Sequence, residues 1–345
     1  MAHRGWTLRR ELGVMGTGLA LPGASLTSEA LVAAIERRFG FGGSRQALAI
    51  ARRLDIRSRH VSRAFEARSE TALPGQANPD LAAEAVLAAL DDAGIAVGDL
   101  AYLIGHTTTP AQQLPPNIAL VADRLGYRGP FVELRQACTG FANALMVASG
   151  LLGDGGAAPV AIVGSESGSL FFDPGKLDDA SQIVNLVQMG DGAGAVILGP
   201  RGSAEDAILA GWFGAAGLGR EPGIQLQSGA SAFDHDFAAV AAHGPALFDA
   251  GAQVLARLRY PLANFDWIVP HQVSGRIGAL AAEYFGIGEE QFFGNASRIG
   301  NTGSAAIWIA LAELRQTGLA PGVTVATLGA EASKFMHGGF VYRHG

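Results

Sequence analysis

Cys138 is the only cysteine among the 345 residues of this chain, and it stands where a short apolar run gives way to a helix-like pattern. A thiol in the first turn of a helix lies near unpaired amide N–H groups and the positive end of the helix dipole, both of which favour the thiolate. The position therefore suits a nucleophile. An inert buried thiol is an equally open interpretation, because free cysteine is among the residue types most often found in protein interiors.

Two polar residues in the second part of the chain occupy related positions. His271 comes directly after a predicted strand at 267–269, and Asn301 precedes a predicted helix at 303–314. Ligands of open α/β sheets bind beyond the carboxyl ends of the strands, so these two residues and Cys138 are predicted to meet there. Taken singly, His271 is also typical of a hydrogen-bonded structural residue and Asn301 of a helix N-cap.

The elements that must position these residues alternate between strands and helices, and their order occurs twice. The first half has predicted strands at 13–21, 101–105, 130–134, 160–164 and 193–198, and helices at 29–38, 80–93, 116–125 and 139–152. The second half has helices at 245–258, 276–285 and 303–314, and strands at 267–269, 292–293, 323–328 and 339–342.

A local echo supports the duplication, since Val163-Gly164-Ser165-Glu166 resembles Leu328-Gly329-Ala330-Glu331. We therefore predict two similar α/β halves, residues 1–200 carrying the cysteine and 201–345 carrying the histidine and asparagine.

Composition excludes several other classes of function. The net charge of −6 and a pI near 5.8 argue against binding to nucleic acid. No apolar run reaches the length of a membrane helix, and a single cysteine indicates no oxidising compartment, so a cytoplasmic protein is expected. The histidines lack metal-ligand spacing. The glycine-rich segment 190–195 lacks the P-loop lysine, and we interpret it as a tight structural turn that lets backbone segments approach closely.

At these residues the chain resembles the β-ketoacyl-acyl-carrier-protein synthase III branch of the thiolase superfamily, from about residue 13 to 342. Four segments carry the resemblance, in the family's order: Ala137-Cys138-Thr139-Gly140-Phe141, Gly190-Asp191-Gly192-Ala193-Gly194-Ala195, Pro270-His271-Gln272 and Gly300-Asn301-Thr302. The resemblance implies a five-layered α-β-α-β-α fold built from two duplicated halves, and a homodimer.

The resemblance also implies roles for the site residues. Cys138 would take an acyl group from a thioester, and the backbone N–H groups of Cys138 and Ser333 would form the oxyanion hole. His271 and Asn301 would hydrogen-bond the carbonyl of a second thioester and stabilise its enolate. This chemistry requires neither a metal nor a redox cofactor.

The chain departs from the family in ways that bear on its substrate. Residues 46–54, where a tryptophan would stack on coenzyme A, contain no aromatic residue, so an acyl carrier protein is the expected donor. Candidate contacts for its acidic helices are Arg257, Arg259 and Arg276, although ordinary solvated arginines would look the same.

The acyl pocket is also expected to differ. Ala332-Ser333-Lys334-Phe335 replaces the family's triple glycine and phenylalanine. Residues 112–116 resemble the family's loop at the dimer interface, which places Leu114 where an aromatic residue often limits acyl length. We therefore expect Leu114 and Phe335 to shape a pocket for a longer or bulkier acyl chain.

The sequence thus predicts a ketosynthase III-like acyltransferase that forms a carbon–carbon bond by Claisen condensation, in polyketide or specialised fatty-acid biosynthesis. Within the family, two alternatives stay open: condensation of two long β-ketoacyl chains to a pyrone-like or head-to-head product, and acyl transfer to a hydroxyl or amine. A non-catalytic partner subunit is the alternative from another class.

Overall fold

The computed structural model describes residues 5–65, 72–153, 158–173, 176–177, 179–227 and 230–345. The strands are β1 (Trp6–Thr7), β2 (Leu12–Ala20), β3 (Leu26–Thr27), β4 (Ser58–Arg59), β5 (Tyr102–His106), β6 (Phe131–Leu134), β7 (Val160–Glu166), β8 (Gly192–Pro200), β9 (Ala207–Ala215), β10 (Ile224–Gln225), β11 (Asp234–His235), β12 (Trp267–Pro270), β13 (Thr324–Glu331) and β14 (Met336–Arg343). The helices are α1 (Ser28–Phe39), α2 (Ser44–Leu54), α3 (Asn78–Ala93), α4 (Asn117–Leu125), α5 (Gly140–Leu151), α6 (Ala180–Gln188), α7 (Phe237–Arg257), α8 (Ile277–Phe285), α9 (Ala296–Ile299) and α10 (Ala306–Gln316).

Ten strands form one sheet in which the same pairing order occurs twice. In one run β2 is antiparallel to β8, β8 is antiparallel to β7, and β7 and β6 are parallel to β5. In the other, β9 is antiparallel to β14, β14 is antiparallel to β13, and β13 is parallel to β12. The two runs join where β2 pairs with β9.

Helices cover these two runs of strands in three layers. The central layer is α5 with α10, and its apolar residues pack against strands of both runs. On one outer face α3 and α4 cover β2, β5, β7 and β8, and on the other α7 and α8 cover β9 and β12 to β14. Neighbouring residues of a strand face opposite layers because the side-chain period of a strand is two. The arrangement is the predicted five-layered α-β-α-β-α fold; the division at residue 200 stays a prediction.

Some element boundaries differ from the sequence prediction. The helix predicted from Pro245 begins two turns earlier, at Phe237, with the Asp236 carboxylate accepting from the N–H of Ala239 as its N-cap. A proline inside a helix removes one backbone hydrogen bond, and here the rest of the helix tolerates that loss. The segment predicted as a strand at 292–293 is reduced to one bridge between Phe292 and Ile268. Helices α2 and α6 and strand β9 were not predicted.

Within the described part of the chain, every helix is too short or too polar to cross a lipid bilayer. The same residues contain no group of three or more His, Cys, Asp or Glu side chains that could hold a metal ion.

A half-buried ionic network ties the first and second runs of strands together. The guanidinium of Arg315 on α10 donates to the carboxylates of Asp206 and Asp92 and to the hydroxyls of Thr17 and Tyr342. Burial would raise the pKa of Asp206, but hydrogen bonds from Tyr342 and a backbone N–H, with the charge of Arg315, hold that pKa below its usual value.

Replacing Arg315 with methionine is expected to lower the free energy of unfolding by about 3 kcal/mol at pH 7, because it leaves half-buried carboxylates unpaired. The folded pKa of Asp206 is depressed, so its stabilising contribution is present above about pH 4 and is lost as the pH falls below that. Urea titrations at pH 7 and pH 3 test this, and the difference between wild type and variant should shrink at pH 3.

The exposed pair of Arg201 and Glu11 supplies the control for this measurement. Arg201→Met should cost less than about 1 kcal/mol at either pH. Equal losses in Arg315→Met and Arg201→Met would show that the network contributes no more than a surface pair.

Candidate active site

Cys138, His271 and Asn301 line the same cavity, which has a volume of about 550 Å³. They arrive from three elements: the turn before α5, the end of β12 and the turn before α10. The structure therefore brings together the three residues that the sequence predicted to meet. Most of the remaining wall is apolar and comes from the first half of α7 and from α8.

Cys138 is half-buried, with its sulfur at the cavity wall, and α5 begins two residues later at Gly140. Burial raises the pKa of the thiol well above its ordinary value, and the negative charges of Glu331 and Glu166 raise it further. A hydrogen bond from the backbone N–H of Cys138 to its own sulfur lowers the pKa of the thiol, but by less than these effects raise it. The expectation that the start of the helix favours the thiolate is thus wrong for the free enzyme.

Besides burial, a carboxylate that already occupies the start of α5 opposes the thiolate. Glu331 accepts from the backbone N–H of Thr139 at 2.9 Å and from the Thr139 hydroxyl at 2.6 Å. An anion at a helix N-terminus is stabilised by the unpaired N–H groups and the dipole. Glu331 takes this stabilisation, and its charge opposes a second anion on Cys138.

His271 is held by its backbone and leaves its ring free for a ligand. Its N–H donates to the carbonyl of Leu328 on β13, and Gln272 fixes the turn by donating to the carbonyl of Pro270. Neither ring nitrogen has a hydrogen-bond partner among the described residues. Burial lowers the pKa of His271 to about 4, so the ring is neutral at physiological pH and carries one donor and one acceptor.

Asn301 is fixed at both its backbone and its side chain. Its N–H donates to the carbonyl of Gln188 at 2.8 Å, and its carbonyl accepts from the N–H of Gly190 at 3.1 Å. The amide oxygen accepts from the N–H of Gly303 at 3.0 Å. Because the oxygen is occupied, the Asn301 side chain offers its two Nδ2 hydrogens to the cavity.

The glycine-rich segment at 190–195 packs behind Asn301. Its interpretation as a tight turn is wrong for residues 192–195, which begin strand β8, whereas the expected close approach of backbone segments is found at Gly190. A Cβ atom on Gly190 would overlap the carbonyl oxygen of Ile299. The next residue, Asp191, is buried and accepts from the N–H groups of Ser62 and Ser169. The absence of a side chain at Gly190 therefore allows the backbone of residues 299–301 to approach closely.

We expect Gly190→Ala to destabilise the protein by about 2–3 kcal/mol, because backbone atoms must move to admit the methyl group. The same movement breaks the two hydrogen bonds that hold Asn301. The midpoint temperature of thermal unfolding and the rate of the reaction at this site should both fall. Gly98→Ala is the control, since Gly98 is exposed, does not line the cavity, and a Cβ there meets nothing within 4 Å. Equal effects in both variants would contradict the argument.

The other residues predicted for the site lie at different distances from the cavity. Phe335 lines it and adopts a positive φ of 53°, a strained conformation for a residue with a side chain. Ser333 lies on the turn between β13 and β14 without lining the cavity. Leu114 is 83% exposed and does not line the cavity of its own chain.

The three arginines predicted to contact a carrier protein are all exposed. Arg276 immediately precedes Ile277, which lines the cavity, so it lies near the cavity. Arg257 and Arg259 lie at the opposite end of α7 from the residues that line the cavity. None of the three forms an ion pair within the described residues.

Sequence reasoning missed the buried polar groups around Cys138. A chain of hydrogen bonds runs behind the thiol, from Asn143 to Gln136, from Gln136 to Thr139, and from Thr139 to Glu331. Glu166, also buried, accepts from the N–H and hydroxyl of Thr108, from Thr109 and from the N–H of Ser304. The repeated segments ending in Glu166 and Glu331 were the available signal, because they place both carboxylates at equivalent strand ends.

A five-layered fold with a cysteine, a histidine and an asparagine around one apolar cavity defines a condensing enzyme of the thiolase superfamily. The sequence matches the family described as 3-oxoacyl-[acyl-carrier-protein (ACP)] synthase III at residues 132–217, and the C-terminal part of that family at residues 255–343. The chain belongs to the β-ketoacyl-[acyl-carrier-protein] synthase III family.

Individual relatives support this assignment over nearly the whole chain. The β-ketoacyl-[acyl-carrier-protein] synthase III of Thiobacillus denitrificans is 30% identical over 307 residues, 86% of this chain and 88% of that protein. The structure of AbyA1, a tetronic acid condensing enzyme, is 28% identical with a TM-score of 0.80, covering 96% of this chain and 99% of the other. The structure of the 3-oxoacyl-(acyl carrier protein) synthase III of Pseudomonas aeruginosa is 28% identical with a TM-score of 0.79, covering 97% of this chain and 98% of the other.

Proposed function

We propose that this protein condenses an acyl group bound to Cys138 with a second acyl or malonyl thioester, forming a carbon–carbon bond. The observation that carries the proposal is the convergence of Cys138, His271 and Asn301 on one apolar cavity. Each of the three presents a free reacting or hydrogen-bonding group to that cavity. A non-catalytic partner subunit would not need all three groups in place.

In the first step the sulfur of Cys138 attacks the thioester carbonyl, the donor thiol leaves with the cysteine proton, and an acyl-enzyme remains. The carbonyl oxygen becomes negative during this attack. Neither the N–H of Cys138 nor that of Ser333 donates to a backbone carbonyl within the described residues, and we assign both to the oxyanion hole.

In the second step a malonyl thioester loses carbon dioxide, and the electron pair of the broken bond forms an enolate. The ring N–H of His271 and the Nδ2 hydrogens of Asn301 donate to its oxygen, where charge develops in a buried, apolar site. The enolate carbon then attacks the acyl carbonyl. The β-ketoacyl thioester is released and Cys138 leaves as the thiolate, which is reprotonated.

The size and lining of the cavity support a long or bulky acyl chain. A volume of about 550 Å³ with largely apolar walls accepts far more than an acetyl group. Leu280 and Tyr284 line the cavity and are 49% and 55% exposed, so the cavity opens to solvent between α7 and α8.

We further propose an acyl carrier protein as the donor, with Arg276 beside the cavity as its primary contact and Arg257 and Arg259 as outer contacts. The chain is proposed to act as a homodimer through the edge strand β6, with the exposed Leu114 reaching the partner. The altered segment Ala332-Ser333-Lys334-Phe335 and the size of the cavity support a specialised polyketide or fatty-acid pathway, and one of the similar structures is that of a tetronic acid condensing enzyme.

The test is to supply acyl-carrier thioesters of graded chain length, with and without malonyl-carrier protein. Intact-protein mass reports the acyl-enzyme, and mass spectrometry of the carrier reports the product. We expect acyl-enzyme with longer chains and a β-ketoacyl product only when malonyl-carrier is present. If a β-ketoacyl thioester condenses with the acyl-enzyme and malonyl-carrier protein does not, the second substrate is a β-ketoacyl thioester. An acyl-enzyme that transfers only to alcohols or amines would refute condensation, and no adduct with any donor would favour the partner-subunit alternative.

A further inference from the structure

The environment of Cys138 contains an anion that the chemistry proposed above does not use. Glu331, at the end of β13, is 1% exposed, and both of its carboxylate oxygens are hydrogen-bonded. One oxygen accepts from the N–H and the hydroxyl of Thr139, and the other from the hydroxyl of Ser333. All three partners are donors, which is the pattern of an ionised carboxylate.

Through these contacts Glu331 joins the two segments that would form the oxyanion hole. Thr139 directly follows the nucleophile, and Ser333 lies on the turn between β13 and β14. The bonds reach from the second half of the chain to the first, across 192 positions in sequence. Loss of these hydrogen bonds would therefore alter the relative position of the Cys138 and Ser333 N–H groups.

The carboxylates whose charges act on the thiol are Glu331 and Glu166. His271 and His235 line the cavity together with Cys138, His106 lies against Gly140, and His243 packs edge-on against Phe335 of the cavity wall. Burial lowers the pKa of His106 to about 3 and those of His271 and His235 to about 4, so all three rings are neutral at physiological pH. Lys334 is the cation on the same turn as Ser333, and its ammonium donates to the carbonyl of Arg220. No ion pair with Glu331 is found among the described residues.

We propose that Glu331 is a positioning residue with an electrostatic role: its carboxylate fixes the Cys138–Thr139 turn against Ser333 and places a negative charge beside the nucleophile. The proposal rests on Cys138 being the nucleophile of the proposed function. Its consequence is a resting enzyme with little thiolate, which reacts slowly with adventitious electrophiles.

The decisive variant is Glu331→Gln, because it removes the charge and can keep every hydrogen bond. The amide oxygen can accept from both groups of Thr139, and the amide nitrogen can donate to the oxygen of Ser333. A purely structural role for Glu331 is therefore left intact, whereas the electrostatic role is abolished.

The measurement is the rate of Cys138 alkylation by iodoacetamide from pH 6 to pH 10, followed by intact-protein mass. We expect the apparent pKa of the thiol to fall by about one unit in Glu331→Gln. The lower intrinsic nucleophilicity of a more acidic thiol offsets part of the gain, which leaves the rate at pH 7 about threefold higher. Glu313→Gln is the matched control, because Glu313 is bonded to Asn295 and Arg298, and its profile should match the wild type.

Glu331→Asp keeps the charge but moves it away from Thr139, so its apparent pKa should fall less than that of Glu331→Gln. If circular dichroism shows that the glutamine variant does not fold, the Glu331→Asp variant is used for the same measurement. An unchanged or higher apparent pKa in the folded Glu331 variants would overturn the proposal. Alkylation needs no acyl donor, so this result is independent of whether the wild type forms an acyl-enzyme.

Discussion

Cys138→Ser is expected to form no detectable acyl-enzyme with a thioester that fully acylates the wild type. A serine hydroxyl is a much weaker nucleophile than a thiol, and neither ring nitrogen of His271, which lines the same cavity, has a hydrogen-bond partner through which it could act as the base. The expected loss in acylation rate is at least about 10³-fold. Intact-protein mass after a time course with an acyl-carrier thioester measures it directly.

The control for this variant is its stability. Cysteine and serine are close in size and Cys138 is only half-buried, so the unfolding midpoint should change little. Acyl mass that appears on the folded serine variant at the wild-type rate would place the nucleophile elsewhere and remove the basis of the proposed chemistry.

Asn301→Ala and His271→Ala are expected to separate the two steps. Both should still form the acyl-enzyme, because Cys138 and the oxyanion donors are untouched. Condensation should fall by about 10²–10³-fold in each, the usual loss when one donor to a developing oxyanion is removed. Single-turnover assays that begin from isolated acyl-enzyme and add malonyl-carrier protein measure the second step alone.

His271→Gln and Asn301→Asp sharpen this prediction. Glutamine keeps a donor where His271 stands and should retain part of the condensation rate, whereas aspartate brings a negative charge toward the enolate and should retain none. Equal losses of acylation and condensation in the alanine variants would instead indicate that both residues act on the structure of the cavity as a whole.

Much of the fold was predictable because its signals are local. Helices such as α1 show apolar periodicity with a capping threonine, and the side chain of Thr27 does accept from the N–H of Ala30. Strand β9 was missed because it is buried on both faces and glycine interrupts its apolar pattern at Gly211 and Gly214. Its position depends on pairing with β14 and β2, which no local pattern records.

The reacting residues were predictable for a different reason, since Cys138, His271 and Asn301 all follow or precede apolar elements in the order of a known family. Their surroundings were not. The bond between Thr139 and Glu331 joins distant parts of the chain, and only the folded structure shows that a carboxylate occupies the start of α5. The expectation of a stabilised thiolate failed because burial of the thiol, together with the charges of Glu331 and Glu166, outweighs the effect of the helix start on its pKa.

The two backbone hydrogen bonds that hold Asn301 against residues 188–190 have a consequence for substrate binding. These bonds form a parallel bridge between Met189 and Asn301, so the backbone around Asn301 is already restricted to few conformations in the free enzyme. The free-energy cost of ordering this loop is therefore met during folding and not when a thioester binds. The binding energy of the second substrate is therefore available for the chemical step, and amide exchange at Gly190 and Asn301 should be equally slow in the free and the acylated enzyme.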